Sequence, residues 1–349
     1  MSKLVQATCR VYSRGMARST APERRFFVTA ITLLVAALGA TKPRGRAQPT
    51  MEVWAFTGPW DSASTASLAR HIGALDVAVT GWIALDSATA EPTLPSLYVD
   101  HFTPGRERAA RFALVTSWHG LSFHPSSIRT LAANPARLGR VARRIADAAH
   151  RAGYRGLVLD FEDHAPADLS GLLIVVKAMT DSAHALGLSR VAIAVPAADT
   201  AGYPTRALLR ATDLLIPMLY DQHWTTSPPG AISDPAWVRS TLMARLAGVD
   251  RDRIVAGLGT YAYRWPRGKS GEQLSYAEAR RAAATGGKVF VRDGASQTLY
   301  ATLKNGDQLW ANDARLVQTL IEVVKSLGVK RVALWRLGQE DPGIWDVLR

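Results

Sequence analysis

The sequence predicts an α/β protein, a (β/α)8 TIM barrel with a small α+β insertion between strands 7 and 8. Three observations carry this. Eight short apolar runs follow residue 50, amphipathic segments of helical spacing separate them, and the 349-residue chain exceeds the roughly 250 residues such a barrel takes. With 48% hydrophobic and 20% charged residues, the chain has the composition of a globular domain with a large core.

The expected strands are, in order, Val53–Thr57, Leu75–Ile83, Arg111–Trp118, Gly156–Phe161, Val191–Pro196, Leu214–Leu219, Ile254–Gly259 and Arg331–Trp335. Most are β-branched or Leu-rich and lack clean polar alternation, as a parallel sheet covered on both faces requires. Between them, Pro135–Ala152 repeats apolar residues at Leu138, Val141, Ile145, Ala148 and Ala149, a helical interval. Asp168–Leu186 does the same through Leu169, Leu172, Leu173, Val176 and Met179, with Gly187 as its stop signal. Pro235–Ala247 and Asp313–Leu327 behave similarly. Eight strands with intervening helices favour a closed barrel over an open sheet. The long interval before the last strand predicts a helix over Tyr276–Ala284, short strands at Lys288–Arg292 and Thr298–Leu303, and a turn at Asn305-Gly306-Asp307. It reads as an insertion, about 264–310, on the barrel's active face.

Residues 1–50 read as an export signal or membrane anchor with a linker, ahead of a barrel over 51–349. Residues 26–40, FFVTAITLLVAALGA, form an uncharged apolar run, short for a membrane span and suited to a signal-peptide core. Arg24-Arg25 before Phe26-Phe27 loosely resembles a twin-arginine signal, with Glu23 where Ser or Thr is usual. Cleavage could follow Ala47, after an unusually basic stretch, and a start at Met16 would give a normal signal length. Either reading, signal or anchor, puts the body outside the cytoplasmic membrane, in a periplasmic or extracellular location.

Residues 1–47 hold nine of the 42 Lys and Arg and one of the 29 acids, so the leader carries most of the net +13 and the body is mildly basic. No Lys/Arg run in the body marks nucleic-acid binding. The single cysteine, Cys9, lies in the leader, leaving the body without a thiol nucleophile or thiolate metal site. His119, His124 and His164 follow expected strands but match no metal motif such as His-Glu-x-x-His. A Gly-x-Ser-x-Gly elbow, a P-loop and a dinucleotide fingerprint are all missing.

The chemistry concentrates in Tyr154–Asp163, YRGLVLDFED. Side chains on a strand alternate faces, so Gly156, Val158, Asp160 and Glu162 share one face and Leu157, Leu159 and Phe161 the other. The Leu/Phe face packs under helices. The other points inward and delivers two carboxylates to the C-terminal mouth, where barrel enzymes keep their sites. Repulsion and partial burial raise one pKa, making the outer Glu162 the better general acid. Both carboxylates approach from one strand and are poorly placed to flank a sugar ring on opposite faces. That favours the mechanism in which the substrate's own N-acetyl carbonyl attacks the anomeric carbon, with Asp160 holding the acetamide.

At these residues the sequence resembles glycoside hydrolase family 18, the chitinase-like barrels. That family's fourth strand ends in Asp-Gly-x-Asp-x-Asp-x-Glu; Gly156, Asp160 and Glu162 match it, while Arg155 and Val158 replace its first and middle Asp. Met218-Leu219-Tyr220-Asp221 resembles the family's Met-x-Tyr-Asp. The resemblance implies that Tyr220 donates to the acetamide oxygen and that Asp221 lies beside the sugar. Trp335 corresponds to the tryptophan that floors the sugar subsite. Tyr261–Trp265 (YAYRW) and Leu309–Arg315 (LWANDAR) are similar to the branch containing spore-cortex-lytic enzymes and deacetylase-fused hydrolase modules. The third strand departs, with TSWHG near the family's Ser-x-Gly-Gly. Seven of the ten tryptophans fall at or just beyond expected strands, half of them suited to a sugar cleft. Expected substrate contacts are therefore Trp335, Asp221, Met218, Trp118 and Tyr261, around catalytic Glu162, Asp160 and Tyr220.

The resulting expectation is a retaining, substrate-assisted glycosidase for β-linked N-acetylhexosamine glycans, working without metal or organic cofactor. Chitin, peptidoglycan and poly-N-acetylglucosamine all fit. Its partner is the polysaccharide, not nucleic acid, and membrane contact arises only through an uncleaved leader. The replacement at Val158 keeps open the alternative of a weak or inactive, lectin-like glycan-binding barrel.

Overall fold

The computed structural model describes residues 51–93 and 109–348. The expectations for residues 1–50 lie outside the described residues, among which no helix is long and apolar enough to cross a membrane. The barrel strands are β1 (Glu52–Phe56), β2 (Val77–Leu85), β3 (Ala110–Thr116), β4 (Gly156–Asp160), β5 (Arg190–Pro196), β6 (Leu214–Met218), β7 (Ala256–Gly259) and β8 (Arg331–Trp335). Neighbours run parallel in the order β1-β8-β7-β6-β5-β4-β3-β2, and β2 pairs back onto β1, closing the sheet into an eight-stranded barrel. All eight expected strands are present, within three residues at each end.

The helices form where the apolar interval and the capping residues agree. Pro135–Arg151 begins at Pro135, with the Asn134 side chain accepting the Arg137 N–H at 3.0 Å, and buries Leu138, Val141 and Ile145. Leu169–Ala185 buries Leu172, Val176 and Met179 and is followed by Gly187 at φ +82°, a backbone only glycine adopts freely. Pro235–Arg245 and Ala314–Ser326 are capped by Asp234 and Asp313.

Strand parity divides the apolar residues into two cores. Leu157, Leu159 and Phe161 join the layer between sheet and helices, while Val158 joins Trp54, Phe112, Leu114, Ala192 and Ile216 inside the barrel. Each fully buried Leu or Val contributes about 1.5–3 kcal/mol, so the alternation along β4 is strongly enforced. Gly156 is required at the base of that strand: a Cβ there would lie 2.3 Å from the Arg190 carbonyl and 2.5 Å from the Phe112 ring.

The insertion is more regular than expected. It forms a five-stranded antiparallel sheet in the order Glu272–Leu274, Ala262–Trp265, Gln308–Ala311, Leu299–Thr302, Val291–Arg292, with helix Tyr276–Thr285 packed on it. Three of these strands were not anticipated, and the sheet starts at Ala262 rather than near 264. Their few residues show no period by themselves. Their faces are nonetheless distinct: Tyr261, Tyr263 and Trp265 pack toward Tyr220 and Trp335, and Ala262 packs with Ala279 of the helix.

Candidate active site

A cleft of about 910 Å³ opens at the C-terminal ends of the strands. Asp160, the last residue of β4, reaches it with 8% of its surface exposed, and the half-buried Glu162 stands two residues further out. The inward parity read along this strand thus places both carboxylates in the mouth. Beneath them, Val158 is wholly buried in the apolar layer.

Thr116, at the end of β3 and in register with Asp160, donates its hydroxyl to Asp160 Oδ2 at 3.0 Å. The Thr116 oxygen itself accepts the Trp118 N–H at 3.0 Å, which fixes the direction of the hydroxyl proton. Burial pushes the Asp160 carboxyl up to about 6, against the hydrogen bonds from Thr116 and Glu162 that favour its charged form. Burial pushes Glu162 well above the ordinary carboxyl range, and the negative charges of Asp160, Asp163 and Asp221 reinforce the rise. Burial and the neighbouring charges thus favour the protonated form of Glu162, beside an Asp160 to which it is hydrogen-bonded.

β6 delivers the next group. Met218 and Tyr220 line the cleft, and the Tyr220 hydroxyl makes no hydrogen bond to any described residue. Burial and the carboxylates of Glu162 and Asp221 keep that phenol protonated. Asp221 also lines the cleft and adopts a left-handed backbone (φ +58°), tolerable for Asp. Its Oδ1 accepts the Tyr261 hydroxyl and, at 2.9 Å, the Tyr263 hydroxyl. Burial still raises the Asp221 carboxyl.

Tyr261 corrects one expectation. It is 1% exposed and forms no part of the cleft wall. Its ring is buried behind Asp221 because Ala262 begins the insertion sheet, whose aromatic face turns toward the barrel. It bears on the cleft from behind, through the Asp221 carboxyl and the rings of Tyr220 and Trp335.

Aromatic rings surround the carboxylates. Trp335 ends β8, lies edge-on to Phe56 at 5.4 Å between centroids, and is joined to Arg336 by a cis peptide. Trp118, 37% exposed, sits on a short ribbon and meets Phe123 edge-on at 5.1 Å. Trp60 and Trp82 form a T-shaped pair at 4.7 Å. Arg336 pairs with Asp61 at 2.6 Å and lies 5.7 Å from the Trp60 ring centroid. Trp237, Asp199 and Thr116 also belong to the site and were not singled out from the sequence. Parity along β3 would have exposed Thr116, since Phe112, Leu114 and Thr116 alternate inward. By contrast, Trp54 and Trp265 are core residues.

The arrangement supplies two adjacent carboxyl groups raised by burial, a phenol and a ring floor. Asp160 is engaged by Glu162 and Thr116, and Asp221 by two phenols, so neither is free to attack an anomeric carbon from the opposite side.

Comparison with known proteins agrees with this frame. A family model described as glycosyl hydrolases family 18 matches residues 105–340. The cortical fragment-lytic enzyme of Bacillus subtilis (strain 168) is 24% identical over 225 residues, 60% of this chain and 52% of that enzyme. The chain thus spans about half the length of that relative. A class V chitinase from Pseudomonas fluorescens Pf-5 superposes with a TM-score of 0.77 at 23% identity, covering 86% of this chain and 98% of that one. The Bacillus cereus spore cortex-lytic enzyme SleL gives 0.74 at 18% identity over 86% of this chain and 74% of its own. At these identities the two superpositions establish the fold.

Proposed function

The chain belongs to glycosyl hydrolases family 18, and from that premise we propose that it hydrolyses β-linked N-acetylhexosamine glycans by a retaining, substrate-assisted mechanism. The observation that carries this is the placement of Glu162 and Asp160 two residues apart on one strand, both raised by burial, while the Asp221 carboxyl accepts from two phenols. Glu162 protonates the leaving oxygen. The substrate's acetamide oxygen attacks the anomeric carbon, Asp160 receives the acetamide N–H and stabilises the positive charge that develops there, and Tyr220 donates to the acetamide oxygen. Water then opens the cyclic intermediate with Glu162 as base, which retains configuration. Trp335 floors the sugar, and Trp118 and Met218 bound it.

The relatives named for chitin and for spore cortex support a substrate built on N-acetylglucosamine, whether chitin, poly-N-acetylglucosamine or peptidoglycan. The basic leader with its apolar run supports export to the envelope, where such polymers lie.

The test is product analysis by mass spectrometry on the three polymers with wild type and Glu162→Gln, and proton NMR of the first anomer released. Hydrolysis by wild type, loss in the variant and a β-anomer first are expected. Products without an N-acetylhexosamine at the new reducing end sink the assisted mechanism. Equal binding with no turnover by either protein would establish the lectin-like alternative that the apolar Val158 favours.

A further inference from the structure

Phe161, Glu162, Asp163 and His164 form the turn that carries the proton donor off the end of β4, and its third residue, Asp163, is left-handed (φ +61°). In a four-residue turn the first carbonyl commonly accepts the fourth N–H. Here the His164 N–H donates instead to the Tyr203 hydroxyl at 3.1 Å, and that hydroxyl donates to the Phe161 carbonyl at 2.9 Å. One phenol oxygen is inserted between the two arms of the turn. Resting on Glu162 as the proton donor, we propose that Tyr203 is a positioning residue for it: the hydroxyl props the turn open and sets the height of Glu162 above Asp160.

Tyr203 can do this because its own loop is held rigidly. It lies after β5 and is 1% exposed. Arg245, the last residue of helix Pro235–Arg245, is wholly buried and ion-pairs with no carboxylate among the described residues. Its guanidinium donates to the carbonyls of Ala197 at 2.9 Å and of Pro196 and Asp199 at 2.6 Å, and also to that of Tyr203. Burial lowers Arg245 to about 10, so it remains charged. One cation thus gathers the carbonyls of residues 196–203, which include part of the cleft wall. Gly202 brings the loop against the turn: a Cβ there would lie 3.0 Å from the His164 carbonyl.

Without the hydroxyl, the turn must either close on a direct Phe161–His164 hydrogen bond, moving Glu162, or leave two buried polar groups unpaired. The experiment is Tyr203→Phe, assayed on an unactivated chito-oligosaccharide and on an aryl glycoside whose leaving group needs little protonation. A misplaced acid lowers kcat on the oligosaccharide by about 30-fold or more, leaves KM within about twofold, and costs the aryl glycoside only about threefold. Equal losses on both substrates, or no loss, overturn the proposal. Amide exchange at His164 in the wild type decides the matter if the variant fails to fold: strong protection is expected, and free exchange refutes the bridge. That measurement needs no substrate, so it separates a failure of this inference from a failure of the hydrolase reading.

Discussion

Thr116→Val removes the one hydroxyl that supports Asp160 while keeping a branched side chain of similar size. In the wild type that hydroxyl donates to Asp160 Oδ2 at 3.0 Å, and the carboxyl is pushed up to about 6 by burial. A hydrogen bond to a buried charged group is worth about 1.5–3 kcal/mol. One pH unit corresponds to about 1.4 kcal/mol, so losing the bond raises the Asp160 carboxyl by about one to two pH units. The proposed mechanism needs Asp160 charged and Glu162 protonated. The acid limb of kcat/KM therefore moves up by about one to two pH units, with a loss of about 5- to 50-fold at pH 6 and a small one at pH 8.5. Thr116→Ser keeps the hydroxyl and is expected to keep the wild-type limb. An unmoved limb in the valine variant, or an equal shift in both variants, would refute the assignment of that limb to Asp160.

Tyr220→Phe removes a preorganised donor aimed at developing charge, and kcat is expected to fall by about 100-fold with KM little changed, as steady-state kinetics would show. Trp335→Ala opens the sugar floor; isothermal titration with a non-hydrolysed oligosaccharide is expected to show affinity reduced about tenfold or more. Glu162→Gln is expected to stabilise the fold while abolishing turnover. Its folded pKa is raised above the unfolded value, so the folded state keeps a proton that the unfolded state releases, and wild-type stability declines as pH rises through that interval. Calorimetry should find the variant's Tm higher by about 2–4 °C at pH 8 and nearly equal to wild type at pH 4.

The barrel was legible because its strands are covered on both faces and announce themselves as continuous apolar runs. The two carboxylates were legible because β4 is unbroken: strict alternation from Gly156 puts Asp160 and Glu162 in the mouth. Where alternation breaks, the reading fails. β2 changes register between Val79 and Gly81, so Trp82, opposite Leu114, faces inward although counting by twos from Val79 turns it outward. Tyr261 was misread because the strand that follows it, Ala262–Trp265, owes its form to antiparallel partners far along the chain. The prop on the Glu162 turn was invisible for a similar reason. Tyr203 meets Phe161 and His164 across about forty residues, and nothing local to either segment signals the contact.

The Asp61–Arg336 ion pair has a mechanical meaning. Each member is the chain neighbour of a cleft tryptophan, Trp60 on one side and Trp335 on the other, and Arg336 is 9% exposed. The pair acts as a spacer bar between two plates. Trp335 is already fixed by its barrel strand, and the tie to Asp61 holds the loop of Trp60 against that strand's end, so a guest chain meets a slot whose width is already set.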